Sequence, residues 1–178
     1  MSIKDLQKPL WSDELEVRIQ SINKGKYATI LVYKDARVDM KRLDNVVWPL
    51  NWKKQYTNNN QNCIVSIYDE SKKEWVSKED VWTESITEQV KWLASDSFKR
   101  ACFNWWIGRE LYEYPVIQVK LNDDEVQEYN WKLKASFKLN LRKWKLWTQF
   151  KDWKITFVWL KDEIWKLRFK WGEFNKTL

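Results

Sequence analysis

Histidine is absent from the 178 residues, and glycine occurs only three times. The lack of imidazole excludes Ser-His-Asp triads and His-ligated zinc together. Cys63 and Cys102 are the only cysteines. They are too few for a disulfide framework or a zinc site, and they read as buried thiols in a reducing, cytoplasmic setting. No run of about 18 apolar residues occurs, so no membrane-spanning helix and no membrane partner are expected. The opening MSIKDLQKPLW lacks the basic start and apolar run of a signal peptide. No Walker-type phosphate loop is present, and restoring glycine at suspect positions creates none. What remains is a chain with 44% apolar and 32% charged residues. That composition and length fit one folded domain with an appendage rather than a disordered segment.

Tryptophan supplies 15 residues. Ordinary usage would give a chain of this length about 12 glycines. The positions sharpen the anomaly. Asn130-Trp131 and Asp152-Trp153 fall between alternating apolar segments, where Asn-Gly and Asp-Gly turns belong. Trp48 precedes Pro49, and Trp106 lies near the end of a helical run. Glycine is the usual occupant of such slots, because an indole is poorly suited to positive φ. Two explanations are open. In one, UGA codons that the source reads as glycine stand as tryptophan, and Trp52, Trp75 and Trp105, in apolar or strand-like surroundings, are the true indoles. In the other, the chain carries an aromatic surface for stacking bases.

Charge is distributed unevenly. Residues 131–178 hold 13 basic and 4 acidic side chains, a net of +9, whereas residues 1–130 are close to balance at −2. The basic quarter suggests polyanion contact, or alternatively a solvated basic β-region.

Periodicity and caps predict an α+β fold. A short helix is expected after Ser12, a strand over residues 27–34, and a helix over 36–47 capped by Asp35. Strands follow over 51–57, 63–68 and 74–81, then a long helix over 88–107 and a strand over 115–121. The core is therefore an antiparallel β-β-β-α arrangement packed by the long helix. Residues 122–130 read as an acidic linker. Residues 131–178 read as a basic β appendage with strands over 132–141, 154–160 and 166–170, leaving 1–121 as the main domain.

The long helix places Lys99 and Arg100 about 100° apart and outside its apolar stripe. Adjacent cations there suit backbone phosphates, although spacing alone also describes a solvated helix face. Lys91, Arg42 and Lys54 are further basic candidates, for each of which a solvated surface residue is the simpler reading. The acids Asp123, Asp124 and Glu125 raise a metal-dependent nuclease as an alternative. Consecutive acids on an extended chain do not share one side, and a hydrated loop is the simpler reading.

Three stretches carry a resemblance: DARVDMKRLDNVVWPLNW, CIVSIYDESKKEWV, and TESITEQVKWLASDSFKRACFNWWIGRELY. With LQKPLWSDELEVRIQ before them, they resemble the Rad-fifty-two-type (Rad-fifty-two/Rad-twenty-two) single-strand annealing family, in its bacteriophage recombination branch. The resemblance spans residues 6–121 and is most specific at Asp-Ser-x-Lys-Arg-Ala and Asn-Trp-x-Ile-Gly-Arg. Phage relatives tend to have glycine where this chain has Trp48, Trp92 and Trp106. The resemblance implies a nonenzymatic, ATP-independent protein without cofactor or metal. Such a protein forms homo-oligomeric rings in the cytoplasm of a bacterial host, binds single-stranded DNA and anneals complementary strands in recombination and repair. A host or phage single-strand-binding protein is a possible partner. Lys99 and Arg100 match the family's basic pair, and Arg37 matches a basic residue opening the preceding helix. Phe103 replaces a further cation of eukaryotic members. A generic single-strand binder without annealing activity is the nearest alternative.

Overall fold

A computed structural model describes residues 2–81 and 93–174. After a 3-10 turn at Ile3–Gln7 come β1 (Glu16–Ile22), β2 (Tyr27–Tyr33), α1 (Ala36–Val47) and a 3-10 turn at Pro49–Asn51. Then follow β3 (Trp52–Thr57), β4 (Asn62–Asp69), β5 (Glu74–Val81), α2 (Leu93–Asn104), a 3-10 turn at Arg109–Tyr112 and β6 (Ile117–Lys120). A 3-10 turn at Asp123–Glu125, β7 (Val126–Tyr129), β8 (Lys132–Ala135) and a 3-10 turn at Leu141–Lys143 lead to β9 (Lys145–Lys151), β10 (Lys154–Lys161) and β11 (Leu167–Gly172). The fold is α+β, and the described strand pairs are antiparallel.

The chain forms two compact units, Met1–Pro9 with Asp35–Arg109, and Leu10–Lys34 with Glu110–Leu178. The boundaries expected at Leu121 and Asn130 are not where these units divide. The reason is pairing: β2 takes β6 as its neighbour, with Ala28 opposite Val119 and Ile30 opposite Ile117. That register draws an N-terminal hairpin into the unit that carries the C-terminal strands.

In the first unit, Asp35 caps α1, its carboxylate accepting the Arg37 backbone N–H at 2.8 Å. Trp48 and Pro49 end that helix. The three strands order as β3-β4-β5. Cross-strand partners point to one side of a sheet. Trp52, Lys54 and Tyr56 therefore share a face with Ile67, Val65 and Cys63. Phe98, Ala101 and Cys102 of α2, with Trp105 just beyond it, belong to the same core cluster as Cys63, Val65 and Ile67. Burying a side chain like Phe98 contributes about 2–3 kcal/mol. The Trp105 indole N–H donates to the Val65 carbonyl at 3.0 Å, so the large ring enters the core with its polar atom satisfied. Both cysteines are buried, and neither is in a disulfide. Burial pushes the Cys63 thiol up to about 11. The expected start of α2 at residue 88 lies outside the described residues, and its regular turns stop at Asn104 rather than at Ile107.

The second unit contains sheets β1-β2-β6 and β11-β10-β9 and the hairpin β7-β8. Its core joins Ala28, Ile30, Ile117 and Val119 to Leu146, Val158 and Leu160. Several expectations fail here. The helix after Ser12 is a turn followed by β1. The Glu14 carboxylate accepts the Trp11 N–H at 2.8 Å, closing that turn, and the alternation beyond it favours a strand over the capping signal. Residues 122–130 are not a linker. Glu125 caps its own turn through the Asn122 N–H at 2.7 Å, and β7 follows at once. The strand expected over 132–141 stops at Ala135, and β9 forms where none was expected.

Candidate nucleic-acid interface

The cations anticipated from the sequence, Lys91 excepted, lie in the first unit, on α1, α2 and β3. Lys91 lies outside the described residues. The buried stripe of α2 runs through Ser97, Phe98, Ala101 and Cys102. At 3.6 residues per turn, Lys99 borders that stripe beside Cys102 and Arg100 borders it beside Ser97. The two neighbours in sequence remain about 100° apart, each against its own edge of the buried stripe and each facing a different neighbouring element.

Each meets a carboxylate. The Lys99 amine lies 3.8 Å from Asp96, one turn earlier, and 24% of its side chain is exposed. The Arg100 guanidinium reaches across to Asp80 on β5 at 3.3 Å, with 28% exposed. Asn104, one turn after Arg100, donates to the other oxygen of Asp80 at 3.2 Å. Asp80, Arg100 and Asn104 thus form a local network whose guanidinium retains solvent access.

Arg37 pairs with Asp35. The Arg37 guanidinium binds that carboxylate at 2.9 Å. Hydrogen bonds from the Arg37 side chain and backbone hold the Asp35 carboxyl below its ordinary range, and the Lys99 charge pushes it the same way. The Asp35 carboxylate thus holds the Arg37 guanidinium directly, whereas Lys99 pairs with Asp96 and acts on Asp35 only through its charge. The Arg37 side chain remains largely exposed. Its forked donors suit an incoming phosphate.

Lys54 and Arg42 have other surroundings. The Lys54 amine stands 4.6 Å from the centre of the Phe98 ring, on the helix-covered face of β3. Arg42 donates to the Lys8 carbonyl at 2.7 Å and so ties the N-terminal segment to α1. Two features were not anticipated. Lys78 donates to the Asn104 carbonyl at 2.7 Å and lies over the Trp105 ring at 4.6 Å, closing the C-terminal end of α2. The anions Asp35, Asp80 and Asp96 hold the cations in place; the sequence signals only that Asp35 caps a helix.

The acids proposed for a nuclease separate. Asp123 pairs with Lys26 at 2.7 Å, Asp124 with Lys138 at 3.8 Å, and Glu125 with Arg168 at 2.7 Å. Among the described residues, no cluster of three metal-ligating side chains occurs, and no helix is long and apolar enough to cross a membrane. Comparisons with protein-family models, with curated proteins and with solved structures find no match to this chain.

Proposed function

We propose that this protein binds single-stranded DNA through its phosphates and anneals complementary strands without ATP, as a homo-oligomer in phage-type recombination. The reading rests on the resemblance of residues 6–121 to single-strand annealing proteins. The observation that carries it is the largely exposed Arg37 guanidinium held on the Asp35 carboxylate, with Lys99 and Arg100 each held on α2 by a carboxylate of its own; all three are residues that the resemblance marks for DNA. Annealing brings two polyanions together, so bound cations must offset their repulsion and release counterions. Backbone capture leaves base edges available for pairing and carries no sequence preference. Arg37, Lys99 and Arg100 have the chemistry for that task, each held by a carboxylate that a phosphate can replace.

The test is annealing of two pre-bound complementary strands at several salt concentrations, with particle mass measured in parallel. Faster annealing than the free strands show, by an assembly of several chains, supports the reading. Tight binding without acceleration would instead identify a protective single-strand binder. Magnesium-dependent cleavage would identify a nuclease.

A further inference from the structure

We infer that the protein made in its source carries glycine at positions 48, 106, 131, 153 and 165. The inference concerns the chain itself and holds whether or not the protein anneals DNA. A non-glycine residue at positive φ is uncommon, and bulky residues are the least tolerated there. Yet Trp48, Trp106, Trp131, Trp153 and Trp165 all have φ between 60° and 76°.

Each occupies a slot that a named backbone motif reserves for glycine. Trp131 and Trp153 are the second residues of two-residue hairpins closed by the pairs Tyr129–Lys132 and Lys151–Lys154. Asn130 and Asp152 before them also have positive φ, so both turns have the paired positive φ of type I′, whose preferred sequences are Asn-Gly and Asp-Gly. Trp106 terminates α2. The Ile107 N–H reaches the Cys102 carbonyl at 3.2 Å and the Trp106 N–H reaches the Phe103 carbonyl at 3.0 Å. That pair of bonds is a Schellman cap, and Trp106 fills its left-handed position, which is usually glycine. Trp165 closes the β10–β11 loop. Its N–H bonds to the Asp162 carbonyl at 3.0 Å, and the Asp162 N–H bonds to the Lys166 carbonyl at 3.1 Å. This is a three-residue hairpin loop whose last residue takes the left-handed conformation. Trp48, at φ 76° and ψ 140°, borders a region visited essentially by glycine alone.

The side chains agree with the backbone. All five indoles are exposed, Trp131 at 95%. Four tryptophans with ordinary backbone make specific contacts instead, although Trp75 is itself 40% exposed. Trp105 is buried and bonded to Val65, the Trp52 N–H donates to Asp44 at 2.7 Å, and Trp144 lies in the core beneath the Arg168 guanidinium at 4.6 Å. Trp75 packs edge-on against Tyr68 at 5.4 Å. These four are assigned as true tryptophans, Trp144 joining the three expected from sequence. Trp11, Trp147, Trp159 and Trp171 have backbone that any residue adopts and lie outside the inference. The functional consequence falls at position 106. There the indole covers the Arg109 guanidinium at 3.9 Å, and glycine exposes a further cation just beyond the helix that bears Lys99 and Arg100.

Mass spectrometry of peptides from the protein isolated from its source, read beside the coding DNA, tests the inference. Glycine-mass peptides at the five positions with UGA codons, and tryptophan-mass peptides with UGG at Trp52, Trp75, Trp105 and Trp144, are the expected result. Tryptophan in the peptides at the five positions, or UGG in their codons, overturns it. The outcome is independent of any annealing assay.

Discussion

The Arg100 guanidinium on α2 is held by the Asp80 carboxylate on β5 at 3.3 Å, and Asn104 holds the same carboxylate from one turn further along. A phosphate must displace that carboxylate before Arg100 can grip it. Asp80→Asn keeps the shape and removes the competing charge. Half-exposed ion pairs contribute up to about 1 kcal/mol, which corresponds to about five-fold in affinity. Single-strand binding by Asp80→Asn should therefore tighten by about two- to five-fold, read by fluorescence anisotropy on a labelled oligonucleotide. Weaker binding by the folded variant would mean that Asp80 positions Arg100 instead of competing for it.

Arg37 and Lys99 make a prediction about salt. Each phosphate neutralised on a single strand contributes about 0.7 to the slope of log affinity against log salt. Arg37→Gln and Lys99→Gln should each lower the slope by about that amount, and the double variant by about twice it. Asp35 must stay in place, since it also caps α1. Asp35→Ala removes that cap and should cost about 1 kcal/mol of stability, measured by urea denaturation. Unchanged slopes in folded Arg37→Gln and Lys99→Gln proteins would remove this corner from the DNA path.

The first unit was largely legible because its signals are local. The Asp35 cap, the apolar alternation of residues 63–68 and the small residues along α2 each act within a few positions, and each formed as the pattern dictates. The second unit was less legible because its strands are selected by distant partners. The stretch from Ser12 to Val17 looks like a short capped helix until β2 is seen to pair with Glu16 and Val17. Residues 122–125 look like an acidic linker until Arg168 is seen to bind Glu125. The site shows the same divide: adjacency in sequence signals the Lys99 and Arg100 cations, whereas the carboxylate that holds Arg100, Asp80, is supplied by a different element, β5.

Replacing the turn indoles should stabilise the chain as written. A left-handed backbone costs a non-glycine residue about 1–2 kcal/mol, and glycine avoids that cost. In the exposed hairpins no core contact is lost, because Trp131 and Trp153 are both exposed. Trp131→Gly and Trp153→Gly should each raise stability by about 1 kcal/mol, nearly additively because the turns are separate. Trp105→Gly should do the reverse, costing about 4 kcal/mol through a core cavity and an abandoned Val65 carbonyl. Chemical denaturation of the variants checks both signs. Destabilisation by the hairpin glycines would show that the indoles contribute packing which outweighs backbone strain.

The second unit should be sensitive to acid through Glu125. Arg168, only 6% exposed, binds both Glu125 oxygens, at 2.8 Å and 2.7 Å, and Asp162 at 3.3 Å. Hydrogen bonds from Arg168 hold the Glu125 carboxyl below its ordinary value of 4.5, against the opposing effect of burial. A carboxyl with a lowered folded pKa contributes its stability fully above the ordinary value, and that contribution fades as pH falls through the lowered one. Denaturation midpoints should therefore decline as pH drops below about 4.5. Glu125→Gln should start less stable at neutral pH, by about 2 kcal/mol, because Arg168 retains only Asp162 as an ionic partner. The same variant should lose part of the acid sensitivity, since the group responsible no longer titrates. An acid profile identical to that of the parent chain would place the sensitivity elsewhere and reduce the Glu125–Arg168 pair to a neutral packing contact.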